Sequence, residues 1–376
     1  MPYGWLSWPS VRVVHLTSRH PPDDVRIFRK ECRSLARAGF EVHLVAPGAI
    51  EETRDGVALH GFEQPEGLRP LRILRRLWRA WRAAGSLDPE LCQFHEPELV
   101  PVALLLRRNG ARVVYDVHED SLSELDYAER PGGGRRTGLR LFEAVARRRC
   151  DAFVAATPAI ARLFPTERTI EVRNYPLLEE FADVQSSRAI GHDVVYVGGI
   201  ITTARGLREM IEAIDRVQDD AARLVLMGAI GTPELEREAR SLPGWSRVDH
   251  LGFVGRGELA RRLAAAHVGL VVLHPERGYL ESLPIKLFEY MSAGLPVVAS
   301  DFPYWRELLE PIGCATFVDP LDPTAIAGAI DELLANPERA GEMGRRGEAA
   351  VRTGLNWEHE EAKLLDLYSR LASVPA

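Results

Sequence analysis

Apolar residues along the chain fall into short continuous runs, and between the runs they recur every three or four positions. Val11-Arg-Val-Val-His-Leu16 is a β-branched run that predicts a strand. From Asp24 to Ala38 the apolar residues Val25, Phe28, Cys32, Leu35 and Ala36 return at helical spacing, and Gly39 stops that helix. Further strands are predicted over 41–46, 91–94, 112–117 and 152–155, separated by helical patterns. After a polar stretch from Glu179 to His192 the pattern restarts. Strands over 193–197, 223–227, 248–253, 268–273 and 296–299 alternate with helices over 207–217, 233–240 and 257–265. Helices around 305–309, 323–335, 338–351 and 357–371 close the chain. Alternating strand and helix implies parallel sheets covered on both faces. The expected class is α/β, with two doubly wound, Rossmann-like domains facing a cleft: 1–178, on which a C-terminal helix over 357–372 packs back, and 190–356. Ligands of such sheets bind beyond the carboxyl ends of the strands, so the active site is expected in the interdomain cleft. No internal repeat at a period of 20–50 residues is evident.

Composition agrees with two packed domains: 376 residues, 46% hydrophobic and 27% charged, with Gly and Pro lying between the apolar runs. That balance excludes disorder and fibrous architectures. No stretch reaches the roughly 18 uninterrupted apolar residues of a spanning helix, and Met1 to Ser10 lack a basic region followed by an apolar core. The expected location is cytoplasmic. Cys32, Cys92, Cys150 and Cys314 lie far apart without metal-type spacing and read as small buried residues, with no disulfide and no zinc. The net charge of −7 hides an asymmetry, because residues 1–190 carry 28 Lys+Arg against 26 Asp+Glu, leaving 19 against 28 for the rest. A surplus of +2 spread over the first half excludes a bulk nucleic-acid binder and permits only local basic patches.

The most informative segment runs from Glu281 to Ser300 and joins a strand to a helix stopped by Gly294 and then to a new strand. Pro284 suits the first turn of the helix, so Glu281 falls in the loop before it, and Glu289 falls within the helix, three residues after Lys286. The positive end of a helix holds a phosphate, and carboxylates bind vicinal hydroxyls of a ribose or hexose. Two carboxylates flanking an anion site therefore suggest a nucleotide-sugar pocket. With Lys286-Leu-Phe-Glu-Tyr-Met and Ala293-Gly-Leu-Pro-Val-Val-Ala-Ser, the segment resembles the Glu-x7-Glu region of retaining glycosyltransferases of family 4, whose two-domain fold is called GT-B. The resemblance covers nearly the whole chain. It implies that Glu281 contacts the donor sugar, that Glu289 holds the ribose hydroxyls, and that Leu283, Pro284 and Lys286 belong to the donor site. Similar enzymes bind the donor diphosphate with two basic residues after the first strand of the second domain. Here Gly198 and Gly199 follow the predicted strand, Gly199 standing where the first basic residue usually sits, and Arg205 is the second. Lys286 would replace the missing contact. The glycines do not form a Gly-x-Gly-x-x-Gly fingerprint.

In the first domain, His95-Glu-Pro-Glu98 and Asp116-Val-His118-Glu119-Asp120 each fall at the carboxyl end of a predicted strand. Related enzymes carry a histidine beside the donor sugar, and His118 matches its place. His95 and Glu119 are acceptor-side candidates, with capping an equal reading of His95. A metal site is not expected, since neither His-Glu-x-x-His nor Asp-x-Asp occurs. Asp24 either caps the first helix or, with Arg26, faces the cleft and binds acceptor. Residues 69–82 place six arginines among Leu71, Leu74, Trp78 and Trp81. They form either a basic amphipathic helix that meets an anionic membrane surface or an ordinary helix packed through Leu71, Leu74 and Trp78. A second basic run spans 130–149.

The resemblance implies an enzyme, a hexosyltransferase that moves a sugar with retention from a nucleotide diphosphate donor, UDP-linked in this reading, to a hydroxyl acceptor. The acceptor expected from cell-surface polysaccharide enzymes is a glycan on a polyprenyl diphosphate lipid. That partner would bring the chain to the inner face of the plasma membrane. A soluble small-molecule acceptor and a GT-B nucleotide-sugar epimerase are the competing readings. No cofactor is expected, and basic residues stand where a metal would otherwise act.

Overall fold

The computed structural model describes residues 11–63, 69–118, 133–182 and 192–373 of the chain, with the side chains of 69–70 and 133–135 set aside. The chain divides into two compact units, Met1–Asn174 with His359–Ala376, and Tyr175–Glu358.

The first unit is built on an eight-stranded sheet. Its strands are β1 (Arg12–Leu16), β2 (Glu41–Pro47), β3 (Glu52–Arg54), β4 (Val57–Phe62), β5 (Leu91–Phe94), β6 (Arg112–Val117), β7 (Ala152–Ala155) and β8 (Thr169–Glu171). They are ordered β3-β4-β2-β1-β5-β6-β7-β8, all parallel except the β3–β4 pair. Side chains alternate across the sheet. Val14 and Leu16, Cys92 and Phe94, and Val113, Tyr115 and Val117 join one apolar core with the helices Arg69–Gly85 and Val100–Arg108. The opposite face carries His15, Gln93 and Asp116 in the same three neighbouring strands. The register His15↔Gln93 and Gln93↔Val114 sets His15 beside Gln93, with Asp116 two residues further along the same face.

The first helical segment departs from the expected α periodicity. Val25–Cys32 is π-helical and continues as an α-helix over Arg33–Arg37. Its wider turn buries Arg26, Lys30 and Glu31 together with Ile27, Phe28 and Cys32. Single π turns of this kind favour functional sites.

The second unit holds a six-stranded, all-parallel sheet of β9 (His192–Ile201), β10 (Ala222–Ile230), β11 (Val248–Gly252), β12 (Val268–Val271), β13 (Val297–Ser300) and β14 (Ala315–Val318), ordered β11-β10-β9-β12-β13-β14. Apolar clusters cover both faces, as near-continuous apolar strands require. β3, β8 and β14 escape the sequence pattern because they are short edge strands, and β4, between β3 and β2, because His60 and Gly61 interrupt its apolar run. All four cysteines are buried and unpaired.

Candidate functional site

In the second unit, β9 runs through the glycines instead of stopping before them, and its pairing with β10 shifts register between Met227 and Ala229. The irregularity depends on Gly228, whose φ is +140° and where a Cβ would lie 1.7 Å from the Gly198 carbonyl oxygen. It leaves Gly199 exposed and Gly198 half-buried above the Tyr196 ring and Lys286. The turn Thr203–Arg205 follows, and Arg205 Nη1 donates to Ile200 O at 2.8 Å. Gly206 closes that turn at φ +76°, with Val272 O only 2.2 Å from any Cβ placed there.

The helix Ile285–Ser292 begins one residue later than expected, with Pro284 as its N-cap. No side chain caps its N-terminus, and Leu287 N donates to Pro284 O at 3.1 Å. Gly294, at φ +67°, ends it, and Leu295 N donates to Tyr290 O at 2.9 Å. Tyr290 ties the helix to the sheet. Its ring lies on Gly269, and its hydroxyl accepts from Val197 N at 2.9 Å and donates to Leu270 O at 3.3 Å.

Glu281 is exposed in the loop ahead of this helix, with Leu283 and Pro284 half-buried beside it. Lys286 is buried, its Nζ donating to Tyr196 Oη at 2.7 Å and standing 3.9 Å from the ring centroid. Burial first, and then the charge of Arg205, push its ammonium well below the ordinary lysine range. Glu289 is also buried, and Arg256 Nη2 lies 2.7 Å from its Oε1. The same guanidinium bonds Glu180. Burial disfavours the Arg256 cation, yet Glu289 and Glu180 outweigh it and raise its pKa. Neither Arg256 nor Glu180 stands out in the sequence, because both lie in polar turns with no spacing to the motif.

In the first unit the polar row becomes a buried network. Asp116 Oδ2 accepts from His118 Nε2 at 2.6 Å, His95 Nδ1 at 3.0 Å and Arg26 Nε at 3.2 Å, and Oδ1 accepts from Arg26 Nη2 at 2.8 Å. Arg26 turns inward, not toward solvent, and also donates to Val172 O at 3.0 Å. Asp24 caps the π-helical segment by accepting from Arg26 N and Ile27 N, both at 2.9 Å, and pairs with His20 at 3.1 Å. His95 Nε2 meets His15 Nδ1 at 3.2 Å. Gln93 donates to Glu31 Oε2 at 2.6 Å, and Tyr368 of the C-terminal helix donates to Gln93 Oε1 at 2.7 Å. Burial alone would raise the Asp116 carboxyl, but Arg26, followed by His118 and His95, holds it well below the usual range. Burial, then the Asp116 charge, pushes Glu31 well above its usual range. Burial lowers both His15 and His95. Glu119 lies outside the described residues.

His15, Gln93 and Glu31 were legible as polar residues set among buried apolar positions, although sequence reasoning passed over them. Tyr368, 353 residues from His15, gave no local signal. The fold also brings His95 Nδ1, Asp116 Oδ2 and His118 Nε2 together, which linear spacing did not suggest. Their separations of 2.6–3.1 Å are hydrogen-bond lengths. Donor atoms around a four-coordinate cation with bonds of about 2.05 Å stand about 3.3 Å apart. The carboxylate is moreover already occupied by a guanidinium, so the cluster does not fit a metal.

The helix Arg69–Gly85 corrects the simpler packing expectation. Leu77, Ala80, Trp81 and Ala84 pack on the core, while Leu71 (50%), Leu74 (63%) and Trp78 (51%) stay exposed with Ile73 beside Arg72 and Arg75. Arg82 lies over the Trp78 ring at 5.0 Å. No helix among the described residues is long and apolar enough to cross a membrane.

Residues 25–174 match the family described as glycosyl transferase 4-like domain, and residues 191–336 match glycosyl transferases group 1. The chain is similar to phosphatidyl-myo-inositol mannosyltransferases. With that of Mycobacterium leprae it shares 28% identity over 49% of this chain and 48% of the relative. With that of Mycolicibacterium smegmatis it shares 24% over 76% and 72%. It thus spans about half the length of the first relative and about three quarters of the second. Among solved structures, sucrose-phosphate synthase from Thermosynechococcus elongatus superposes with a TM-score of 0.76 at 19% identity, covering 96% of this chain and 99% of that one.

Proposed function

The chain is a glycosyltransferase of family 4 with the GT-B fold, and we propose that it moves a hexosyl group from a nucleotide diphosphate sugar to a lipid-linked hydroxyl acceptor with retention. The observation that carries the donor site is Lys286, a buried amine that meets the Tyr196 hydroxyl and feels the like charge of Arg205. Arg205 and the buried Lys286 amine, beside the N-terminus of the helix Ile285–Ser292, form a site suited to an anion. A diphosphate would supply it and restore the Lys286 charge. Those groups then stabilise the charge that grows on the departing nucleotide, where preorganised electrostatics count most. In this reading Glu289 holds the ribose hydroxyls, Glu281 the donor sugar, and Leu283, Pro284, Gly198 and Gly199 offer backbone and walls. The cations do the work a metal would otherwise do, and no cofactor is invoked. The leaving phosphate takes the acceptor proton, with no carboxylate nucleophile. UDP-linked sugars are the first donors to test.

His118 meets a hydroxyl of the donor sugar, with His95 behind it toward the acceptor. The exposed apolar stripe and arginines of Arg69–Gly85 suit an anionic membrane surface. The relatives' name, with phosphatidyl-myo-inositol as acceptor, supports a lipid acceptor. A polyprenyl diphosphate glycan is the acceptor our reading favours. The test is to incubate the protein with UDP-, GDP- and dTDP-sugars, with and without acceptor lipids in vesicles, and to identify products by mass. A glycolipid formed only when both are present is expected. Conversion of the nucleotide sugar alone would indicate epimerisation, and no turnover of any donor would overturn the proposal.

A further inference from the structure

We propose that Asp116 is a positioning residue for His118: clamped by Arg26, it fixes the imidazole with its proton on Nε2 and leaves Nδ1 to accept a hydrogen bond from a sugar hydroxyl. The inference rests on the reading that His118 meets substrate, and it deepens that reading. An ionised carboxylate can only accept hydrogen bonds. Asp116 is buried against the Arg26 guanidinium through both of its oxygens, at 2.8 and 3.2 Å, and is therefore held as the anion. Every nitrogen that meets it must then carry a proton. That assigns N–H to His118 Nε2, at 2.6 Å, and to His95 Nδ1, at 3.0 Å.

The two donors converge on one oxygen, which explains why these nitrogens approach each other to 3.1 Å. The assignment propagates. His95, neutral and protonated on Nδ1, presents a lone pair at Nε2, so His15 must donate to it from Nδ1 across 3.2 Å. His15 Nε2 then carries the lone pair, and its 3.4 Å approach to Tyr368 Oη, whose proton goes to Gln93 Oε1, is a packing contact and not a hydrogen bond. One carboxylate thus sets the proton positions of three histidines. Arg26 Nε also stands 3.1 Å from Glu31 Oε1, while burial and the Asp116 charge push the Glu31 carboxyl up. Among the described residues the structure pairs His118 only through Nε2. Its side chain retains 17% exposure, against none for Asp116 and His95. Among the described residues, the histidine lone pairs with no hydrogen-bond partner are therefore that of buried His15 and that of His118, the most exposed histidine of the network.

The test begins with the wild-type chain, labelled with 15N at its 11 histidines. The His118 signal, identified by its loss in His118→Gln, should show Nε2 protonated and Nδ1 bare at about pH 7.5. Asp116→Asn should then lower kcat for sugar transfer by about ten- to a hundred-fold, as loss of a partner behind a functional group commonly does. KM for the nucleotide sugar should stay within about twofold. Because the Asp116→Asn change removes one of the two buried carboxyl groups that face Arg26, Glu31 being the other at 3.1 Å, that variant risks misfolding, and the wild-type spectrum alone keeps the proposal open to refutation. A His118 ring protonated on Nδ1 overturns the proposal even if the enzyme transfers sugar normally. So does a folded Asp116→Asn protein with wild-type kcat. Wild-type protein that turns over no nucleotide sugar overturns the functional reading instead, and the spectrum remains a separate result.

Discussion

Replacing Leu74 and Trp78 together by serine should weaken binding to anionic vesicles while leaving the fold intact. Leu74 is 63% and Trp78 51% exposed, so about half of each side chain is not used by the core. Full burial of such side chains is worth about 2 kcal/mol each, which leaves about 2 kcal/mol for the pair to gain by entering the headgroup boundary. That corresponds to about a thirty-fold loss in vesicle partitioning, since about 1.4 kcal/mol is tenfold. Reversing Arg72 and Arg75, both exposed, should cost at least as much, at about 1 kcal/mol for each charge removed, and the loss should shrink with added salt. The assay is flotation on vesicles with and without anionic lipid, with thermal melting as the control. Neither variant should lower the melting midpoint by more than about 2 °C, because the packed face is Leu77, Ala80, Trp81 and Ala84. Both variants floating like wild type would refute the membrane reading. A large drop in the midpoint would show that the exposed stripe packs after all.

Two further outcomes follow from the buried ion pairs. Arg256→Met removes the partner of Glu289, whose side chain is 2% exposed, and should cost about 3 kcal/mol in urea unfolding, with Arg256→Lys recovering part; a change below about 0.5 kcal/mol would contradict the pairing. His20 is raised because its hydrogen bond and charge contact with Asp24, with help from Glu96 and Asp116, outweigh burial. Its stabilisation is fully present below the unfolded histidine value of about 6.5 and is lost as pH rises through the higher native value. Asp24 is lowered because the His20 bond and the Ile27 N–H outweigh burial, so its share is lost as pH falls below about 4. His20→Gln should therefore lower the melting midpoint more at about pH 5.5 than at about pH 9, and an equal effect at both would refute the pairing.

Much of this molecule was legible in its sequence, for reasons that particular residues make plain. Alternation of apolar runs with helical periodicity identified the central strands of both sheets, since those strands are buried on both faces and cannot hide. Lys286 and Glu289 were readable because one short helix, bounded by Pro284 and Gly294, carries them at fixed spacing, with Glu281 in the loop just ahead of it. What could not be read depends on contacts distant in the chain. Arg26 looked like a ligand for acceptor until the fold set it against Asp116, 90 residues away. The π-helical turn at Val25–Cys32 mimics α periodicity in its apolar positions while burying a wider set of polar ones. The glycines 198 and 199 seemed to end a strand, whereas Gly228 on the neighbouring strand lets β9 bend and continue. Leu71, Leu74 and Trp78 share a helical stripe, and only the position of the helix on the sheet decides that a different stripe packs.

The central claim is that a nucleotide diphosphate sugar occupies the second unit through Lys286, Arg205 and Glu289. The most direct measurement is calorimetric titration of the full chain with UDP-, GDP- and dTDP-sugars, repeated for Lys286→Met and Glu289→Gln. We expect one nucleotide class to bind saturably and each variant to weaken it by about tenfold or more while remaining folded. Binding of no nucleotide sugar, or binding untouched by both substitutions, would contradict the account.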